Sequence, residues 1–385
     1  MYLPNYKGGS IVNLMSSIET ALGGKPKYKS LNIYGPQQLS KSKNVVLLVI
    51  DGLGYEYLMK YGEGTIFNKH LKGKMTSVFP STTSAAMTVF NTGVPPQQHG
   101  MTGWFEYLKE LGLVAIAIRY MPRTEKSSLQ DVIDIKDIFN LKPFVNRLKA
   151  KTYIILDKKI TKSPYSSAVK GKAEIVSYKS MEDCFNKLRR VIKKKSRKRK
   201  YIFVQRMMHD HYAHKYGVKS KKVYNNFKKL DRQIKKLVKS LQGTNTKIII
   251  TADHGLIDTK KSKRIIVNNH PKFYETLSMP LSGDKRVAYC YVKPLKVKQF
   301  KKYVKKNFRK SCYMYKSKSL LKRNFFGLFK PHKRLHERIG DYVLIMKENY
   351  SICDNLINEK PSSHIGDHGS VSKKEMLVPL VVIDC

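Results

Sequence analysis

Four stretches of the 385-residue chain are apolar without interruption: Asn44–Ile50 (NVVLLVI), Tyr201–Gln205 (YIFVQ), Lys247–Thr251 (KIIIT) and Met376–Ile383 (MLVPLVVI). Unbroken apolarity, as opposed to alternation, is the pattern of strands covered on both faces. Between them lie segments of helical character. Ser84–Phe90 is small and apolar, and Lys221–Leu241 repeats apolar residues at helical spacing with lysines between. This succession predicts a layered α/β fold with a central, mostly parallel sheet. In such folds ligands gather at the carboxyl ends of strands. The stretch from about Arg264 to Pro361 differs. It is lysine-dense and aromatic-rich and mixes a strand-like VAYCYV with a helical KQFKKYVKKNF. It interrupts the sheet, so the expected division is a core of residues 1–263 and 362–385 with an inserted cap over 264–361. Trp104–Lys200 is also long, with room for substrate-facing elements. No internal repeat is present.

Length and a hydrophobic content of 41% suit one large domain with an insertion and exclude a wholly disordered chain. Charge adds a second feature: 75 Lys and Arg face 28 Asp and Glu, a formal net charge of +47. Such a chain attracts polyanions without specificity. The lysines are spread along the whole sequence, which favours compositional bias over recruitment of a particular partner. The densest run, Lys193 to Lys200, precedes an apolar strand and reads as a solvated helix end. The five cysteines are scattered, with no CxxC pair, so neither a disulfide framework nor a thiolate zinc site is expected. No signal-peptide core and no apolar stretch of membrane-spanning length occurs. The expectation is a soluble cytoplasmic protein.

Polar residues cluster where the apolar runs end: Asp51, Thr83, Asp210, His214, Asp253, His254 and His368. Three carboxylates and three imidazoles are a donor set for divalent ions, zinc foremost, with manganese or iron as alternatives. Six ligands divide into two metal sites, and two ions roughly 4 Å apart polarise a phosphoryl oxygen and stabilise both entering and leaving oxygens. Each motif alone has a bland reading. Asp210 and His214 have the spacing of an ordinary i,i+4 helix pair. Asp253-His254-Gly255 and His368-Gly369 resemble strand-ending turns, with Gly255 expected to let the backbone bend. Ser81, Thr82, Thr83 and Ser84 are all good helix caps. A hydroxyl at a helix N-terminus would equally stand beside a phosphate site. Their joint occurrence, in order, at successive strand ends favours the chemical reading.

The stretches VVLLVIDGLG, VFPSTTSAAMTVFNTGVPPQQHGMTGW, MHDHYAHKYG, ITADHGLID and IGDHGS together resemble the type I phosphodiesterase/nucleotide pyrophosphatase family of the alkaline phosphatase superfamily. The resemblance runs from Asn44 to the C-terminus. It implies an alkaline phosphatase-like three-layer sandwich. Asp210, His214 and His368 match the ligands of one zinc, and Asp51, Asp253 and His254 those of the other. Thr83 matches the nucleophile, which also contacts the second metal and passes through a phospho-threonine. One departure stands out. Nucleotide-cleaving members carry an Asn shortly after the HG motif, and here Trp104 occupies that position. The expected activity is hydrolysis of a small phosphate ester, diester or pyrophosphate. A phosphomonoesterase or phosphonate hydrolase of the same superfamily is the nearest alternative. A basic nucleic-acid-binding protein with an inactive hydrolase core is the alternative from another class. No helix-turn-helix, zinc finger or RNP-like run supports it.

Overall fold

All four apolar runs become strands of one seven-stranded sheet in the computed structural model, which describes residues 1–357 and 359–385. In chain order the strands are β1 (Asn44–Ile50), β2 (Leu71–Thr76), β3 (Lys151–Asp157), β4 (Glu174–Tyr178), β5 (Lys200–Arg206), β6 (Thr246–Thr251) and β7 (Leu377–Asp384). Their spatial order is β2-β7-β6-β1-β5-β3-β4. β1 lies parallel to β5 and β6, and β3 lies parallel to β4 and β5, while β7 is antiparallel to its neighbours β2 and β6. Every residue of β1 and β5 is buried, so both sheet faces are covered. This is the condition that unbroken apolar runs require.

Five helices cover this sheet or carry polar residues to its edge: α1 (Ile11–Ala21), α2 (Thr83–Thr92), α3 (Met181–Lys193), α4 (Met208–Tyr216) and α5 (Lys221–Ser240). α1 packs on α2, and α3 and α4 pack on α5. α5 buries Val223, Phe227, Leu230, Ile234 and Leu237, an apolar stripe at three- and four-residue spacing, and leaves its lysines outside. Its start is set by Ser220, whose hydroxyl accepts from the Val223 N–H. The basic run before β5 is exposed over most of its length, as a solvated helix end is, but its last residue turns inward. Lys200 is buried, and its ammonium donates to Val191 O at 2.9 Å, to Ile192 O at 2.6 Å and to Lys194 O. A cation thereby satisfies the orphan carbonyls at the C-terminus of α3. All five cysteines are free. No helix among the described residues is long and apolar enough to cross a membrane.

A second, antiparallel seven-stranded sheet stands beside the first. Its order is 312–316, 342–346, 287–290, 282–284, 105–108, 113–116, 121–122. Strands from within 264–361 are thus completed by three strands of 105–122, joined where Gly283 pairs with Phe105. Side chains alternate as the pleat demands. Val287, Tyr289, Val343 and Ile345 pack with Phe79 and Met376 of the main body, whereas Ala288, Cys290 and Leu344 pack under Phe300, Val304 and Phe308. Arg286 ties the two bodies together. Its guanidinium makes paired bonds of 3.0 and 2.9 Å to Glu375, with both side chains fully buried.

Candidate metal centre

Strand register sets the first two carboxylates side by side. Val49 of β1 pairs with Thr251 of β6, so Asp51 and Asp253 leave the sheet at one level. Gly52 follows with φ +77°, in the left-handed region. Its N–H turns back to donate to Asp253 Oδ1 at 3.0 Å. The His254 N–H donates to the same oxygen at 2.9 Å. Asp253 Oδ2 is left buried and bare. Gly255 serves differently from the sequence expectation. Its φ is not in the left-handed region. A Cβ there would lie 2.0 Å from Lys374 O and 2.9 Å from Gly54 Cα, so close approach of two chain segments demands glycine, not a bend.

α4 starts immediately after β5 and carries Asp210 and His214 one turn apart, with Oδ2 and Nε2 separated by 3.2 Å. The Asp210 N–H donates to Asp51 O at 3.1 Å, which fixes the helix start against the end of β1. His368, from the loop before β7, has its Nε2 3.9 Å from Asp210 Oδ1. Its ring stacks on His254 with centroids 3.7 Å apart. His254 Nε2 stands 3.6 Å from Asp51 Oδ1, 3.4 Å from Asp253 Oδ2 and 3.1 Å from Thr83 Oγ1. All seven residues singled out from the sequence therefore converge. Each imidazole is also held from behind. Nδ1 of His214, His254 and His368 lies 2.7, 3.1 and 3.2 Å from the carbonyls of Gly366, Gly255 and Ser81. This leaves Nε2 of each ring facing the carboxylates, the arrangement by which a backbone acceptor orients a metal-ligating histidine.

The electrostatics call for cations. Burial, then the neighbouring carboxylates Asp253 and Asp210, raises Asp51 well above the usual range. Burial likewise raises Asp253. Burial also opposes ionisation of Asp210, but His214 outweighs it and holds that carboxyl low. His214 in turn is raised to about 9 by Asp210 against the effect of burial. Asp51 Oδ1, Asp210 Oδ1 and Asp253 Oδ2 are buried without a hydrogen-bond partner. Bare buried carboxylate oxygens are costly unless a cation meets them. Oxygen with imidazole nitrogen is the donor set of zinc. Ligand atoms of Asp51, Asp253 and His254 lie within 4.8 Å of one another, as do those of Asp210, His254 and His368. His214 forms a further such group with His364 and Asp367. The sequence pattern did not single out these last two, although both lie in the HIGDHGS run with His368.

Thr83 stands apart from its hydroxyl neighbours. Ser81 Oγ donates to Ser370 O at 2.7 Å, Thr82 Oγ1 to Asp284 Oδ1 at 3.0 Å, and Ser84 Oγ to Gly103 O at 2.6 Å. None caps α2, whose N-cap residue, Thr82, makes no side-chain cap bond. The first-turn N–H groups stay open beside Thr83, the anion-accepting end of a helix. Asp284, also missed, joins Thr82 to Trp104, whose N–H donates to Asp284 Oδ2 at 3.3 Å. Burial pushes the Asp284 carboxyl up to about 6. In the sequence it reads as a turn aspartate in LSGDKRV. Trp104 is half-buried, with the Arg119 guanidinium 5.4 Å over its ring.

The family model described as type I phosphodiesterase / nucleotide pyrophosphatase matches residues 45–371. No curated protein matches the chain. Among solved structures, murine ectonucleotide pyrophosphatase / phosphodiesterase 5 is similar with a TM-score of 0.64 and 18% identity over 87% of each chain. An inactive variant of that murine protein, in complex with AMP, matches equally. The human counterpart gives 0.63 and 17% over 88% of this chain and 87% of its own. At these identities the likeness is one of fold.

Proposed function

We infer the chemistry from one premise, that the chain belongs to the type I phosphodiesterase/nucleotide pyrophosphatase family. It is a metal-dependent phosphoric ester hydrolase. The finer reading is a two-zinc phosphodiesterase with Thr83 as nucleophile. Asp51, Asp253 and His254, with Thr83, would hold one ion. Asp210, His214 and His368 would hold the other. Zinc bound there would supply charge that polarises the phosphoryl group and acidifies hydroxyl and water. The protein's own part is placement. Thr83 Oγ1 sits at the open end of α2, where first-turn N–H groups accept the charge that develops on the phosphoryl oxygens. The Thr83 hydroxyl gives its proton to solvent as the Oγ–phosphorus bond forms and the bond to the leaving oxygen breaks; water then forms a new bond to phosphorus, the Oγ–phosphorus bond breaks, and Oγ regains a proton. The leaving oxygen takes its proton from solvent.

The observation that carries this reading is the set of three bare carboxylate oxygens and three back-anchored imidazoles around the Thr83 hydroxyl. Asp284 supports a diester substrate. A carboxylate beside Thr82 and Trp104 opposes a doubly charged monoester more than a singly charged diester. The test is a panel of nitrophenyl phosphate mono- and diesters after zinc reconstitution. Faster diester cleavage is expected. A monoester preference of about tenfold, roughly 1.4 kcal/mol in the barrier, would overturn the diester assignment.

A further inference from the structure

A cavity of about 890 Å³ opens at the carboxyl ends of β3, β4 and β5. Its lining includes the last residue of each strand: Asp157, Tyr178 and Arg206. Arg206 is only 5% exposed. Its guanidinium lies 4.9 Å over the Tyr178 ring and beside the Cys184 thiol, and among the described residues it makes no ion pair. A buried guanidinium without an anion is an unsatisfied charge. Everything around it adds to the same field. Lys158, Lys159, Lys179, Lys222 and Lys229 line the cavity, against the single carboxylate of Asp157, which already accepts from the Lys159 N–H at 3.0 Å. Ser180 and Met181, the N-cap and first residue of the 13-residue α3, also face it. They bring the positive end of that helix. Asp183 in the same turn is already engaged by Lys187 at 3.0 Å and by the Lys179 N–H at 2.9 Å.

This cavity is not the metal centre. α4 stands between them. Asp210 and His214 occupy one face of that helix, while Met208 and Tyr212, each two residues away and so on the opposite side, line the cavity. We propose that it is a second anion site, built around Arg206, which binds the phosphate chain of a small polyphosphorylated molecule. The volume falls in the range of small-molecule sites. Several lysines converging on one guanidinium match a run of ionised phosphates and not a lone carboxylate.

The test is calorimetric titration of the full-length, zinc-loaded protein in the Thr83→Ala background, where turnover at the metal centre is expected to be lost, with magnesium tripolyphosphate and, separately, with magnesium ATP. Three variants are compared with that parent: Arg206→Gln, the triple Lys158→Gln/Lys222→Gln/Lys229→Gln, and a control, Lys298→Gln/Lys301→Gln/Lys305→Gln. The control removes the same charge from an exposed lysine-lined groove elsewhere. Affinity is expected to fall by about tenfold or more in the first two and by no more than about twofold in the control. Hydrolysis of a small nitrophenyl diester, measured with Thr83 in place, should be unchanged in the rim triple. Equal affinity for ATP and tripolyphosphate would assign recognition to the phosphates alone, and tighter ATP binding would assign a part to the nucleoside. Should Arg206→Gln fail to fold, the rim triple carries the test. Unchanged binding in the rim triple, or an equal loss in the control, would overturn the proposal.

Discussion

The hydroxyls of Ser81, Thr82 and Ser84 are tied to Ser370 O, Asp284 and Gly103 O, whereas that of Thr83 faces the His254 ring and the Asp51 carboxylate. Thr83→Ala is therefore expected to lower kcat by about a thousandfold or more while zinc content stays unchanged, because the carboxylates and imidazoles remain. Thr83→Ser should retain part of the turnover. Normal kcat in the alanine variant, with metal content measured in parallel, would transfer the attack to another group. Asp284 permits a second test. Its folded carboxyl titrates near 6, above the ordinary 3.8. The native state thus holds this proton longer than the unfolded chain. The resulting stability is fully present below the unfolded value and is lost as pH rises through about 6. Asp284→Asn lacks that loss. From about pH 4 to about pH 7 its unfolding free energy should gain on the wild type in urea titrations. A pH-independent difference would refute the assignment. The same variant should narrow the discrimination between diester and monoester.

At the scale of elements, the site depends on how strand ends and helix starts are joined. Gly52 and Gly255 allow the turns after β1 and β6 to touch other chain segments, and the Asp210 N–H bond to Asp51 O locks the start of α4 to β1. The second sheet is held to the main body by Arg286 and Glu375. Glu375 also accepts from the Ser370 N–H at 3.0 Å, two residues from His368. Removing one partner of a fully buried, hydrogen-bonded pair leaves an uncompensated charge. Glu375→Ala should cost about 3–5 kcal/mol in urea unfolding, and the loop bearing His368 should lose order with it. A cost below about 1 kcal/mol would show that the pair is replaceable by water.

For the whole molecule, the metal centre brings three of the chain's 28 carboxylates together, each with a buried oxygen that lacks a hydrogen-bond partner, against a net charge of +47. An ion that binds only the folded state stabilises it by RT ln(1 + [L]/Kd), about 2.7 kcal/mol at a hundredfold excess over Kd. Chelation should therefore remove activity and lower the thermal midpoint together, and zinc should restore both. Full activity in exhaustively metal-free protein would refute the two-ion reading. The lysines outside the Arg206 cavity are expected to bind polyanions through counterion release, and that part of the affinity should fall steeply with salt. Filter binding of duplex DNA across a salt series measures it, and a flat salt response would contradict it.

Local pattern by itself determined the strands β1, β5, β6 and β7, the helices α2 and α5, and the seven residues at their ends. Burial on both faces demands unbroken apolar runs, and a strand that ends in a polar side chain delivers it to one edge of the sheet. Other features were beyond its reach. β3 and β4 lie inside a segment left undivided, where YIIL is short and β4 is only half covered. Strands 105–122 complete a sheet whose other strands lie within 282–346, and the pairing of Gly283 with Phe105 leaves no mark in either segment. Asp284 and His364 look like loop residues until the fold sets them beside Thr82 and His214. Arg206 looks like one cation among 75 Lys and Arg. Only the tertiary structure shows that it is buried and lacks an anion. Periodicity and residue type are properties of neighbours along the chain. Whether a charge is paired, which Nε2 faces which carboxylate, and what space remains between helices depend on contacts between residues far apart in sequence, and only the packed fold decides those.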